Sequence, residues 1–116
     1  MGSGEDLESN KATIRRWGDR IWNHGALAET PDLIAEDFVC HRPGGLPEIC
    51  GHQAHDRWVA EVRERNPSYR VEIFDLIAEG DRVASRWRST GDGMHMYRMV
   101  NGKIAEMWTV LVPDAT

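Results

Sequence analysis

The chain has 116 residues, 41% of them hydrophobic, and a formal net charge of −5. These values fit one globular domain and exclude a disordered chain and a protein with a general basic face for nucleic acid. No apolar run approaches the roughly 18 residues of a membrane span, and the start lacks the features of a signal peptide. Two cysteines are too few for a disulfide scaffold, so we expect a cytoplasmic protein.

The first half of the chain is predicted to be mainly helical. Ile14, Trp17 and Ile21 recur at three- and four-residue steps, which predicts an amphipathic helix over residues 9–24 with Ser9 as its N-cap. These steps place the three apolar side chains on one face, so we expect that face to pack against the rest of the domain.

Shorter elements follow before the middle of the chain. Thr30-Pro31-Asp32 is typical of a helix start, because threonine caps, proline suits the first turn and aspartate complements the helix dipole. Residues 38–41 are predicted as a short strand, and residues 42–47 as a loop rich in proline and glycine. A third helix is predicted over residues 52–65, where Asn66-Pro67 ends it.

After the third helix the hydrophobic period changes from helical to two, which predicts an antiparallel meander. Gly91-Asp92-Gly93 is predicted as a tight turn, and Asn101-Gly102 is a strong hairpin signal. The layout is α+β, with residues 9–116 as a single domain and residues 1–8 as a flexible N-terminus or a remnant of cloning. The four predicted strands are residues 69–78, 82–90, 94–100 and 103–112.

Four segments carry a resemblance to a known family. They read, in chain order, IWNHG at 21–25, DFVCHRP at 37–43, AEGDRVA at 78–84 and YRMVNGKIAEMW at 97–108. In this order they resemble the SnoaL-like polyketide cyclase family of the NTF2-like superfamily. The resemblance implies a cone in which three N-terminal helices pack on a strongly curved, mostly antiparallel sheet. An apolar pocket enters the open end of that cone.

The chain is short for the resembled family at one place. Family members run through a long hairpin where this chain has Gly91-Asp92-Gly93. We therefore expect a shortened central hairpin and a shallower, more open cone. One wall of the pocket is then absent or supplied by a partner subunit.

His95 is the main candidate for chemistry, because an imidazole with an ordinary pKa of roughly 6.5 suits proton transfer. In the resembled aldol cyclases, a histidine at this position works with an aspartate on the next strand. The aspartate position is Thr109 here. A threonine does not act as a general acid near neutral pH, so the aldol mechanism does not carry over intact. The alternative for His95 is a hydrogen-bonded core histidine.

Two registers fit the hairpin that follows His95. A two-residue loop places Trp108 opposite His95, whereas a three-residue loop places Met107 there. A slip by one residue exchanges the two faces of the strand. We prefer the three-residue loop, since it agrees with the pocket shared by the catalytic pair of the resembled family. It sets on one face His95, Tyr97, Ala105, Met107 and Thr109.

His41 is the second catalytic candidate, because it ends a strand beside a loop able to form the pocket rim; the alternative is a loop residue bonded to nearby backbone. Asp75 and Glu72 are the nearest carboxylates that could replace the missing aspartate, and their opposite parity lets at most one face inward. Trp87 and Tyr97 are explained equally well by core packing. The predicted substrate-binding residues are Tyr97, Trp87, Thr109, Met107, Trp22, Trp58 and Asp75.

A cluster of cysteines and histidines raises the alternative of a metal site. Zinc accepts the side chains of Cys40, His41, Cys50, His52 and His55, which lie within sixteen residues. Their spacing matches no standard zinc motif, and the resemblance places them on a surface loop and a helix start. We therefore predict no metal site.

The resemblance implies cofactor-free acid–base chemistry on an apolar, polyketide-like substrate: cyclisation, isomerisation or epoxide opening. The alternative, favoured by Thr109, is a non-catalytic module that binds a small molecule or another protein. We expect neither nucleic acid nor a membrane as partner. We expect a homodimer through the outer sheet face, where the sequence places Met94, Met96, Arg98 and Ile104.

Overall fold

The computed structural model describes residues 6–112 and has helices packed on one face of a six-stranded sheet. The helices are α1 (Leu7–Arg16), α2 (Thr30–Leu33) and α3 (Gly51–Arg65). The strands are β1 (Ile34–His41), β2 (Ile49–Cys50), β3 (Glu72–Glu79), β4 (Arg82–Arg88), β5 (Asp92–Val100) and β6 (Lys103–Leu111). Their order is β2-β1-β6-β5-β4-β3, and every neighbouring pair is antiparallel except β1 with β6. The predicted fold class is confirmed.

The first helix begins two residues earlier than predicted. The carboxylate of Asp6 accepts the backbone N–H groups of Glu8 and Ser9 at 3.1 and 3.2 Å, so Asp6 is the N-cap. After Arg16 the helix widens into a π-helical segment over Trp17–Asn23. Part of the predicted flexible N-terminus, residues 1–5, lies outside the described residues. No helix within residues 6–112 is long and apolar enough to cross a membrane.

Two strand boundaries differ from the predictions because of contacts distant in sequence. β1 starts at Ile34, which is fully buried and pairs with Ile104 of β6. β3 starts at Glu72 because the backbone of Val71 is bonded to a side chain instead of β4. The amide of Asn23 donates to the Val71 carbonyl at 3.1 Å and accepts its N–H at 2.7 Å. The two-residue strand β2 was not predicted, and it pairs with β1.

The hairpin between β5 and β6 has a two-residue turn followed by a bulge. Asn101 and Gly102 both have positive φ, at 52° and 76°, as a tight hairpin turn requires. The pairing then shifts by one residue, so that His95 lies opposite Thr109. The preferred register, with Met107 opposite His95, is therefore wrong. The predicted shared face is nonetheless kept, because the bulge restores the parity.

A continuous core lies between the helices and the sheet. It joins Ile14 and Ile21 of the first helical segment to Phe38 of β1 and Val59 of α3, all fully buried. Ile104 is also fully buried, so its predicted place on the outer face is wrong. The bulge turns both Ile104 and its neighbour inward. This core fixes the relative positions of the helices and strands that surround the cavity described next.

Candidate functional site

A cavity of about 280 Å³ lies between the helical layer and the inner face of the sheet. Its aromatic lining comes from Trp17, Trp22, Trp58, Tyr69, Trp87, His95 and Tyr97. Its aliphatic lining comes from Val62, Val71, Ile73 and Leu111. The polar or loop residues at the cavity are Arg42, Pro43, Leu46, Ser89, Thr90 and Thr109, with Gly18 from the helix. Leu46, Thr90 and Leu111 are exposed, which marks the open end.

The π-helical segment brings two tryptophans to the cavity wall. In a π-helix, residues five apart are one turn apart, and Trp17 and Trp22 have that spacing. Their rings make an edge-to-face contact with centroids 5.9 Å apart, and Trp22 makes another with Trp58 at 4.9 Å. Such pairs add to the energy of apolar burial. The helical layer therefore presents a rigid aromatic wall opposite the sheet.

His95 lies on the inner face of β5, against this aromatic wall. Its ring centroid is 4.9 Å from that of Trp87 and 6.0 Å from that of Trp17. Its Nδ1 is 2.9 Å from the hydroxyl of Tyr97, and that hydroxyl is 2.8 Å from Ser85 Oγ. Within residues 6–112, Nε2 makes no hydrogen bond, which leaves it for a ligand.

Burial sets the protonation state of this group. Loss of solvation lowers the pKa of His95 to about 3, so the imidazole is neutral at neutral pH. Burial also raises the pKa of the Tyr97 hydroxyl, which keeps its proton. A neutral imidazole has one donor and one acceptor nitrogen, and the Tyr97–Ser85 hydroxyl pair can serve either tautomer. The site therefore offers either a donor or an acceptor at Nε2.

Polar side chains form a row across four adjacent strands of the cavity floor. Ser85 of β4 pairs with His95 of β5, and His95 pairs with Thr109 of β6. β1 lies on the other side of β6, and its last residue, His41, pairs with Trp108. The next residue, Arg42, keeps an extended backbone, with φ −90° and ψ 152°. This register puts Arg42 beside Thr109, at the end of the row.

The thiol of Cys40 lies behind this row. It is buried, and it hydrogen-bonds the side chain of Thr109. Burial raises the pKa of the thiol to about 11, so Cys40 stays protonated and unreactive at neutral pH. Its inward direction also shows that alternate residues of β1 face the cavity side.

Trp87 packs over the backbone of β5 at Gly93. A β-carbon at position 93 would overlap with Cζ2 of the indole, closer than any side chain tolerates. The indole Nε1 is buried and has no hydrogen-bond partner among the described residues. Gly93 therefore lets the indole lie flat on the strand, where it touches His95.

A buried hydrogen-bond network holds Trp17 from behind the wall. Trp17 Nε1 donates to His55 Nε2 at 3.1 Å, so the ring proton of neutral His55 is on Nδ1 and donates to Asp56 at 2.9 Å. The Thr30 hydroxyl donates to the same carboxylate oxygen at 2.7 Å. Burial lowers the pKa of His55. From the sequence, His55 was considered only as a metal ligand, because no nearby sequence pattern indicates its contact with Trp17.

His41 does not reach the cavity, contrary to the prediction. It faces the outer side of the sheet, where Nε2 bonds Glu106 and Nδ1 bonds Glu48, each at 2.6 Å. Its ring stacks on Trp108 with centroids 5.4 Å apart. Cys40 takes the inward direction, so its neighbour in the strand must point outward.

Two other predicted site residues also lie elsewhere. Asp75 is exposed on the outer side and pairs with Arg86 at 2.6 Å, because a bulge follows Ile73. Met107 is fully buried in the core and does not line the cavity. The structure does bring together at the cavity His95, Tyr97, Trp87, Thr109, Trp22 and Trp58.

Sequence reasoning missed four cavity residues that carry polar groups, namely Arg42, Tyr69, Ser89 and Thr90. Arg42 stands at the mouth, and the hydroxyl of Tyr69 hydrogen-bonds Ser89 across the far wall. For Arg42 a signal was available: it lies two residues after Cys40, so in extended backbone both side chains point to the same face. Cysteine is an apolar residue that is typical of a strand's inner face. The pairing of Tyr69 with Ser89 had no local signal.

The residues weighed as metal ligands do not converge. His52 Nε2 bonds the Ile34 carbonyl at 2.7 Å, and both cysteines are free thiols, Cys40 buried and Cys50 exposed. Within the described part of the chain, no three His, Cys, Asp or Glu side chains are grouped to hold a metal ion.

Comparisons with known proteins agree with this architecture. A family model for the SnoaL-like domain matches residues 14–107. The chain is similar to a candidate SnoaL-like polyketide cyclase from Jannaschia sp. CCS1, with 16% identity, 95% of this chain and 90% of that one covered, and a TM-score of 0.80. It is similar to a candidate ketosteroid isomerase from Kribbella flavida, with 22% identity, coverage of 96% and 82%, and a TM-score of 0.75.

A third solved structure, an NTF2-like protein of unknown function from Mesorhizobium loti, is 25% identical over 97% of this chain and 98% of that one, with a TM-score of 0.76. A search of curated proteins finds no significant match. The likenesses to the cyclase and isomerase candidates, below 25% identity, show the fold alone.

Proposed function

Because the chain belongs to the SnoaL-like family, we propose that it binds an apolar, polycyclic or polyketide-like molecule in its cavity and promotes a cofactor-free acid–base step. The reaction class is cyclisation, isomerisation or epoxide opening. One observation carries the proposal: a neutral imidazole, His95, stands among aromatic walls with Nε2 unengaged. Within residues 6–112, no aspartate, glutamate, lysine or cysteine lines the cavity.

In this proposal His95 is the catalytic base. Nδ1–H donates to Tyr97, whose hydroxyl donates to Ser85, and Nε2 then accepts a proton from a carbon beside a substrate carbonyl. The electron pair moves to the carbonyl oxygen, which becomes an enolate. The imidazolium and the enolate stabilise each other in a water-poor cavity, which offsets the low pKa of His95 in the empty site.

The remaining site residues have positioning roles. In the proposal, Thr109, which lies opposite His95, holds a substrate oxygen through its hydroxyl. Trp22, Trp58 and Trp87 line the cavity and stack on the flat rings, and Tyr97 orients the imidazole through its hydroxyl. Neither His41 nor Asp75 has a place in this mechanism, because both face away from the cavity.

The test compares variants of two histidines that lie on opposite faces of the sheet. We expect His95→Gln to lower turnover of an active aromatic polyketide substrate by roughly 10²–10⁴-fold, the usual contribution of a general base. His41→Gln is the matched control and should keep turnover near the wild-type value. Far-ultraviolet circular dichroism and thermal melting establish that both variants fold. Turnover retained by His95→Gln contradicts the assignment.

The competing function is a binding module without catalysis. Thr109 at the aspartate position of the resembled cyclases favours it, because the hydroxyl supplies no general acid. Titration with aromatic polyketide intermediates separates the two functions. A ligand recovered unchanged after saturating binding supports the module, whereas a changed absorbance spectrum and a new product support the enzyme.

We also propose that the chain forms a homodimer through the outer face of the sheet. Met94, Met96 and Val110 are 47%, 42% and 60% exposed, and Met94 pairs directly with Val110. An apolar group of this kind on a sheet face is typical of an interface. Sedimentation equilibrium should give a dimer for the wild type and a monomer for Met96→Glu. That the protein acts in the cytoplasm remains a prediction from its few cysteines.

A further inference from the structure

We propose that the ligand of this cavity carries a carboxylate, which Arg42 binds at the mouth while the apolar rings extend toward His95. This inference rests on the proposed function and narrows its substrate class. Arg42 is half-buried and is the only arginine or lysine that lines the cavity within residues 6–112. The walls beyond it are aromatic and aliphatic, so the cavity has one cationic end.

The guanidinium of Arg42 is positioned by backbone and has no carboxylate partner. Its Nε donates to the Pro47 carbonyl at 2.8 Å, which fixes the plane of the group. Among the described residues no Asp or Glu lies within ion-pair distance of it. Glu48, the nearest carboxylate along the loop, is bonded to His41 on the opposite face. By contrast, six other arginines have acidic partners: Arg16, Arg20, Arg82, Arg86, Arg88 and Arg98.

An unpaired guanidinium is a receptor for an anion. With Nε engaged by Pro47, the Nη1 and Nη2 groups remain, and their parallel N–H bonds match the two oxygens of a carboxylate. Arg42 is half-buried beside apolar rings, and an anion at the mouth would replace the solvation that Nη1 and Nη2 lose there. The geometry thus points to a planar anion rather than to a neutral carbonyl group.

The row of polar side chains sets the length of the ligand. Arg42 and His95 are separated by the intervening residue Thr109, that is, by two strand spacings or roughly 10 Å between α-carbons. On this scale the proposed ligand has one or two fused rings between its carboxylate and His95. The ligand class is an aromatic or polycyclic carboxylic acid that enters with its rings first and its carboxylate at the mouth.

The experiment uses two probes of the same size and shape, naphthalene-2-carboxylate and naphthalene-2-carboxamide. Isothermal titration calorimetry at pH 7.5 compares the wild type, Arg42→Gln and Arg57→Gln. Arg57 is an exposed arginine of α3 that does not line the cavity, so its variant controls for the lost charge. We expect the wild type and Arg57→Gln to prefer the carboxylate by roughly tenfold or more, as for charge-assisted bidentate bonds. Arg42→Gln should lose this preference and keep its affinity for the carboxamide.

The other outcomes overturn the inference in distinguishable ways. Equal binding of both probes to the wild type contradicts the carboxylate site but leaves the proposed cavity ligand intact. A preference that survives in Arg42→Gln places the anion elsewhere. If neither probe binds at millimolar concentration, both the inference and the proposed function lose their support.

Discussion

His95 and His41 lie on opposite faces of the same sheet, and the two faces shift the pKa of the imidazole in opposite directions. On the inner face, aromatic rings and one hydroxyl surround His95, and burial lowers its pKa to about 3. On the outer face, His41 contacts Glu106 and Glu48 through its two ring nitrogens, and these bonds raise its pKa. Each ring also packs against a tryptophan.

Strand parity, and not residue type or aromatic contact, determines what each histidine can do. His95 is a neutral acceptor or donor for a ligand, whereas His41 clamps the mouth loop to β6 by bonding both Glu48 and Glu106. The loop between these anchors carries Arg42, so the outer face supports the inner one from behind. Five substitutions, used in four experiments, separate the two faces further, in order of decreasing expected effect.

The largest difference should come from truncating a methionine on each face. Met107→Ala removes a fully buried side chain from the core and should cost about 2–5 kcal/mol of unfolding free energy. Met96→Ala removes a side chain that is 42% exposed and should cost under about 1 kcal/mol. Urea unfolding, below the concentration at which the chain dimerises, gives both values. Similar losses for the two variants would contradict the assignment of faces.

Acid should destabilise the protein through His95. Its pKa is 6.5 unfolded and about 3 folded, so between these values the unfolded state binds more protons. Stability therefore falls as the pH drops below 6.5, by roughly 2 kcal/mol at pH 5 relative to pH 8. His95→Gln should flatten this dependence, leaving the smaller slope of His55, whose pKa is also lowered. An unchanged acid slope in the variant would show that His95 is not the group responsible.

His41 should act with the opposite sign. Its folded pKa is raised, so its contribution is complete below the unfolded value of 6.5 and is lost as the pH rises through the folded value. His41→Gln should therefore cost most near pH 6, by at most about 1 kcal/mol because the carboxylates are solvated, and least near pH 9. Denaturant midpoints at the two pH values measure the difference. A larger loss at pH 9 would contradict a charged clamp.

The smallest effect should come from Asp75→Asn. Its carboxylate is exposed and pairs with Arg86, which is also exposed, and such pairs contribute under about 1 kcal/mol. Stability and probe binding should both stay near the wild-type values in calorimetry. A marked loss of binding would indicate that Asp75 faces the cavity and would contradict its outward orientation on β3.

Much of the architecture could be predicted because the local pattern decides it. The apolar steps of Ile14, Trp17 and Ile21 give the first helix, and Asn101-Gly102 gives the hairpin turn. Alternation in β4 correctly placed Ser85 and Trp87 on the buried face. Each of these features depends on residues close together in the sequence.

The errors arise where distant contacts decide. The bulge in β6 was hidden because Ile104 and Ala105 are both apolar, and either one suits the buried face. Which residues of β1 face inward depends on its parallel pairing with β6, a strand far along the chain. His41 was therefore predicted on the wrong face. Nothing in the sequence around His55 indicates its hydrogen bond with Trp17, which lies 38 positions away.

Gly93 has a consequence for how such a cavity diversifies. It does not line the cavity, yet the space above its backbone is occupied by Trp87. Any larger residue at this position must push the indole away from β5 and toward the site of the ligand. A single substitution beneath the wall can thus change the size of the ligand that the cavity accepts, while the identity of every lining residue stays the same.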